Sequence, residues 1–167
     1  MEVKLKLIIG LGNPDKKYER TYHNAGFLFV DYLNKRQMLN DEYQTLKSDV
    51  FMNQSGNFVK TALKKYSASN GKIKPDELLI VHDDSDIELG KYKISFGRSS
   101  AGHKGVESII KTLKTKNFWR LRIGVRKASN VKNQMPRQKA KDFVLKKIGK
   151  KDLEILEKNF EEASQKI

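Results

Sequence analysis

Cysteine is absent from all 167 residues. That removes disulfides, thiol nucleophiles and thiolate metal sites from consideration. No apolar run approaches the roughly 20 residues of a membrane span. The first residues, where Lys4 and Lys6 interrupt the apolar positions, do not read as a signal peptide, and the expectation is a cytosolic protein. Three familiar motifs are missing as well. There is no phosphate-loop lysine motif and no Gly-x-Ser-x-Gly elbow. Gly10-Leu11-Gly12-Asn13-Pro14 opens like a dinucleotide loop but lacks the third glycine, and Pro14 breaks the helix entry. Asp83, Asp84 and Asp86 do not have the spacing of an EF-hand and read as turn chemistry at a strand end. Acidic residues are also few beside the basic ones: 20 Asp and Glu against 34 Lys and Arg give a net charge of +14. Such a surplus points to a polyanionic partner, although scattered solvated lysines would give the same sum.

What is present is organised around residues 8–26. Leu5, Leu7 and Ile9 alternate with Lys4 and Lys6, a strand pattern. Gly10 and Gly12 allow a sharp turn, and Asn13-Pro14-Asp15 is strong turn chemistry. Asn24 is placed to cap a helix carrying Phe27, Val30 and Leu33. The stretch is therefore strand, polar loop and helix, with Asn13, Tyr18 and His23 in the loop or at its edges. In α/β sheets ligands bind where strands end.

The rest of the chain continues the alternation. Residues 37–48 are polar and weakly patterned. Val50 and Phe51 read as a strand end, and Ser55 or Asn57 can cap a helix with Phe58, Ala62, Leu63 and Tyr66 on its apolar face. Leu78 to Val81 fits a strand buried on both faces, ending at His82-Asp83-Asp84. Tyr92, Ile94 and Phe96 alternate, as do Leu121, Ile123 and Val125. Between them lie a small-residue loop, 97–104, and a helix with Val106, Ile109, Ile110 and Leu113. Residues 128–138 read as a mobile loop, and a last helix spans about 151–166. Strands and helices interleave throughout, so the expected fold class is α/β: a single domain with a mixed central β-sheet flanked by helices.

The chain has three histidines, His23, His82 and His103. A general base working near neutral pH is most often a histidine, and it needs an acceptor to fix its tautomer. Asp83 is a candidate acceptor for His23; alternatively His23 packs at a helix start and Asp83 caps a turn. Asn13 and Asn53 carry amides, which donate and accept without charge, or serve as turn and cap residues. Phe51 and Met52 read as core packing. Lys104 holds a phosphate or points to solvent.

Gly10-Leu11-Gly12-Asn13-Pro14, Tyr18 and Thr21-Tyr22-His23-Asn24-Ala25-Gly26-Phe27 resemble the signature of bacterial-type peptidyl-tRNA hydrolases. Phe51-Met52-Asn53, the 98–105 loop and Asp142-Phe143-Val144-Leu145 are similar to further blocks of that family, in the same order. The resemblance implies a metal-independent esterase without cofactor, cleaving the bond between a peptide and tRNA. It implies catalytic roles for His23, Asp83 and Asn13. It implies substrate or tRNA contacts for Tyr18, Phe51, Met52, Asn53, Lys104, Arg122 and Lys93, tRNA as partner, no membrane and a monomer. Two departures stand out. Lys104 occupies the position where the family has asparagine, in a loop with fewer glycines, and the segment at 37–48 is shorter. They leave open a non-catalytic RNA-binding relative, or a hydrolase of other N-blocked esters.

Overall fold

In the computed structural model, which describes residues 4–36, 43–127, 141 and 143–167, five strands form one sheet. They are β1 (Leu7–Gly10), β2 (Gln44–Lys47), β3 (Leu78–Glu88), β4 (Tyr92–Phe96) and β5 (Trp119–Arg126), in the spatial order β2-β1-β3-β5-β4. Four are mutually parallel and β4 runs antiparallel against β5. The helices are α1 (Ala25–Lys35), α2 (Ser55–Asn70), α3 (Lys104–Leu113) and α4 (Lys150–Ser164).

Alternate side chains of the central strands enter two cores. Ile8, Leu79, Val81, Leu121, Ile123 and Val125 meet Phe29 and Leu33 of α1 and Leu156 and Phe160 of α4. Leu7, Ile9, Leu78 and Ile80 meet Val59 and Ala62 of α2 and Val106 and Ile109 of α3. Apolar burial on both faces explains the uninterrupted apolar runs of β1 and β3. Gly10 and Gly26 let α1 start directly over the end of β1: a Cβ on Gly10 would lie 2.2 Å from the Gly26 carbonyl oxygen.

Three expectations need correction. The polar stretch at 37–48 contains β2, an edge strand whose exposed side is tied down by Lys47–Asp31 at 2.8 Å and Thr45–Asn34. Val50 and Phe51 lie outside it and lead instead into a single 3-10 turn, Met52–Gln54. Asp83, Asp84 and Asp86 do not follow the strand but belong to it. β3 runs on past its apolar core to Glu88, paired with β5, with an irregular register between Asp84 and Glu88. The proposed helix caps are also different. Gln54 precedes α2 without a side-chain cap, and Asn24 is used elsewhere. The mobile loop expected at 128–138 lies outside the described residues.

Candidate active site

The strand ends bring two loops onto one carboxylate. The first loop follows β1 and reaches His23, in a 3-10 turn (Tyr22–Asn24) that leads into α1. Its path is fixed by reciprocal bonds between asparagines. The Asn13 amide N–H donates to Asn24 Oδ1 and Asn24 Nδ2 donates to the Asn13 carbonyl, both at 2.9 Å. The C-terminal segment grips the same loop: His23 N donates to the Val144 carbonyl at 2.7 Å, Tyr22 N to Lys146 and Ile148 N to Arg20. The second loop joins β4 to α3 and ends at His103, the N-cap of α3.

Asp83 is 3% exposed. Its Oδ1 lies 2.8 Å from His23 Nδ1 and 2.9 Å from His103 Nε2. The tautomers follow. His103 Nδ1 accepts the Val106 amide of α3 at 3.3 Å, so the proton of His103 sits on Nε2 and is donated to Asp83. His23 likewise donates from Nδ1, which leaves Nε2 as its basic nitrogen. Burial alone would lower the His23 pKa, but the charge and hydrogen bond of Asp83 outweigh it and hold the imidazole above its ordinary value. Lys104 works in the opposite sense. Burial pushes the Asp83 carboxyl up, yet the two histidines hold it well below the usual carboxylate range. These three ligand atoms lie within 4.8 Å of one another, the one such set that could embrace a metal ion among the described residues. In the arrangement seen, N–H protons of both rings point at the shared oxygen.

The remaining expected residues differ in burial and partners. Asn13 is buried, and its Oδ1 accepts the Met52 amide at 3.0 Å. That contact fixes the amide's orientation, and Nδ2 makes no hydrogen bond among the described residues. The Met52 side chain, 5% exposed, packs in the core against Gly105, so its backbone rather than its thioether faces the site. Phe51 is 45% exposed and meets Tyr18 edge-on at 6.5 Å between ring centres. Asn53 is exposed; its carbonyl accepts Ser108 Oγ, which fixes the turn on α3. Lys104 is exposed in the first turn of α3. Lys93 and Arg122 are register partners on β4 and β5, and Arg122 Nε is committed to Asp84 at 2.8 Å. Lys127 is paired with Asp152.

Sequence reasoning did not single out His103, Asn24 or His82 for the site. His82 is fully buried, with Nδ1 2.7 Å from the Asp83 carbonyl and its ring 4.6 Å from that of His103. Burial, then the neighbouring His103, push its pKa well down. His103 lies at the N-cap of α3, but histidine is not among the residue types that signal a cap, so its place was not legible locally.

The model of the peptidyl-tRNA hydrolase family matches residues 7–167. This chain belongs to the peptidyl-tRNA hydrolase family. Among curated relatives, the peptidyl-tRNA hydrolase of Mycoplasma mycoides subsp. mycoides is 38% identical over 93% of this chain and 87% of its own length. That of Mycoplasma capricolum is 37% identical over 98% and 91%. Among solved structures, the peptidyl-tRNA hydrolase of Acinetobacter baumannii superposes with a TM-score of 0.80 at 28% identity, covering 99% of this chain and 88% of that one. A [NiFe] hydrogenase maturation protease from Thermococcus kodakarensis, at 15% identity and a TM-score of 0.52, shares the fold alone.

Proposed function

We propose that this protein hydrolyses the ester between a peptide, or an N-blocked amino acid, and tRNA, and that His23 is the general base. The observation that carries this reading is the His23 Nδ1–Asp83 bond of 2.8 Å, which leaves Nε2 basic. In the reaction, Nε2 takes a proton from water as the water oxygen attacks the ester carbonyl. The tetrahedral intermediate collapses, the bond to the ribose oxygen breaks, and the imidazolium returns the proton to that oxygen. The products are a peptide carboxylate and tRNA with a free terminal hydroxyl. Asp83 stabilises the imidazolium formed in between. Asn53, which is exposed, and backbone amides serve the oxyanion.

Selectivity follows from Asn13. Its Oδ1 is occupied by the Met52 amide, so what it presents is an N–H₂ donor. An acylated α-amino group offers a carbonyl acceptor, whereas a free α-ammonium offers only donors and a charge. The donor therefore favours peptidyl over aminoacyl substrates. Tyr18 and exposed Phe51 flank the tRNA end, where base stacking on aromatics is worth about 1–3 kcal/mol. Lys93, Lys104 and Arg122 supply positive charge toward its phosphates. Among the described residues no helix is long and apolar enough to cross a membrane, and the proposed working form is a cytosolic monomer. The non-catalytic alternative finds no support among the relatives, and the His23–Asp83 bond favours the catalytic reading.

The test is release of a blocked amino acid from N-acetyl-aminoacyl-tRNA beside unblocked aminoacyl-tRNA, for wild type and His23→Ala. Cleavage of the blocked substrate alone, lost in the mutant, is expected. Wild-type turnover by His23→Ala refutes the assignment. Equal cleavage of a blocked ester lacking the tRNA body would favour a general N-blocked esterase.

A further inference from the structure

Arg120 is the largest fully buried side chain among the described residues, at 1% exposure. It lies on β5, facing the same side of the sheet as Ile80, its register partner on β3, and Ser95, its partner on β4. A guanidinium keeps its charge in any protein environment, and burying it costs several kcal/mol unless it is well partnered. Here the partnering is incomplete. Asp84, the nearby acid, is bonded to Arg122. Among the described residues, Nε and Nη2 of Arg120 make no hydrogen bond, and Ser95 Oγ and His82 Nε2 on the same side of the sheet are likewise unpartnered. An apolar side chain of similar volume would fill the position at lower cost, so packing does not account for an arginine here.

What Arg120 does bond is the second loop. Nη1 donates to the Ser99 carbonyl at 2.9 Å. That loop turns through Ala101 and Gly102, both with positive φ, closed by His103 N to the Ser100 carbonyl at 3.0 Å. It delivers His103, whose ring lies against buried His82 and whose Nε2 reaches Asp83. We propose that Arg120 is a positioning residue for the reaction. From beneath the sheet's end it holds Ser99, and with it the loop that sets His103 on Asp83 and so fixes His23. It touches no substrate. The role rests on reading the Asp83 centre as the esterase site.

The test compares Arg120→Met and Arg120→Lys with wild type, well below their melting temperatures. Steady-state kinetics on N-acetyl-aminoacyl-tRNA are measured beside ¹⁵N NMR of the imidazoles, which reports tautomer and hydrogen bonding without turnover. For Arg120→Met, kcat falls about tenfold or more, the scale expected for a small misplacement of a catalytic group. KM stays within about twofold of wild type, and the His103 Nε2–H signal loses its hydrogen-bonded position. Arg120→Lys, which keeps one donor for Ser99, falls between. Wild-type kcat in a folded Arg120→Met, or a loss of kcat with the His103 and His23 signals unmoved, overturns the proposal. If Arg120→Met does not fold, Arg120→Lys decides. A partial loss of kcat with a shifted His103 signal supports the role; wild-type kcat and signals overturn it. Should wild type fail to cleave peptidyl-tRNA, the functional reading fails, while the NMR arm still tests whether Arg120 places His103.

Discussion

The two loops that meet on Asp83 are built differently. The loop bearing His23 is held along its length: by the Asn13–Asn24 pair, by Thr21 Oγ1 on the Tyr18 carbonyl, and by backbone bonds to the segment around Val144 and Lys146. Tyr22 behind it is anchored to Asp152, which Lys127 also engages. The loop bearing His103 has a closing turn, a 3.4 Å contact from the Gly102 amide to Ser100 Oγ, and the Arg120 tether. The lesson is a division of labour. His23 comes from an over-determined scaffold, and His103 comes from a loop with few anchors. Changes in the first loop should abolish chemistry; changes in the second should tune it.

The largest effect should come from the rigid loop. His23→Ala should lower kcat/KM by about 10²–10⁴, the usual contribution of a positioned general base, and should lower the melting temperature as well, because buried Asp83 loses one of the two histidines that stabilise its charge. Wild-type kinetics in this variant would break the comparison at its root. Next, Asp83→Asn removes the charge that holds the His23 pKa up and leaves burial to lower it. The acid limb of kcat/KM should therefore move to lower pH while the plateau drops by roughly tenfold or more. An acid limb that stays in place would show that another group sets it.

Asn13→Ala should act on selectivity before rate. Discrimination between blocked and unblocked substrates should shrink by about 1–2 kcal/mol, the worth of one hydrogen bond with a buried partner, read from the ratio of kcat/KM for the two tRNAs. The smallest change belongs to the second loop. Lys104→Asn removes a positive charge that lowers the His23 pKa, so the acid limb should shift to higher pH, with weaker salt dependence of KM. A shift in the other direction would mean that Lys104 acts through contacts and not charge.

The parts of this molecule legible in its sequence are those governed by local pattern. The strand–loop–helix at 8–26, the buried run of β3, the alternation in β5 and the helix before Leu113 carry periodicity that one window reveals. β2 escaped because an edge strand with polar neighbours has no apolar stripe to mark it. The extension of β3 through Asp83 escaped because pairing with β5, a long-range term, keeps polar residues extended where local chemistry favours a turn. His103 and Arg120 escaped for the same reason. Their roles depend on Asp83 and Ser99, 20 and 21 residues away in the chain, and no local pattern encodes that meeting. Met52 adds a contact of another kind: its backbone amide donates to Asn13 Oδ1, and backbone contacts leave no residue-type signature.

The pH dependence of kcat/KM, set beside an NMR titration of the His23 ring in the free enzyme, tests the account most directly. Asp83 is held too low to titrate in the working range, so one group should govern the acid limb. The account predicts that the kinetic limb and the His23 titration share a midpoint above the ordinary histidine value of about 6.5, and that both move down together in Asp83→Asn. A kinetic limb that departs from the His23 midpoint, or stays fixed when that midpoint moves, would contradict it.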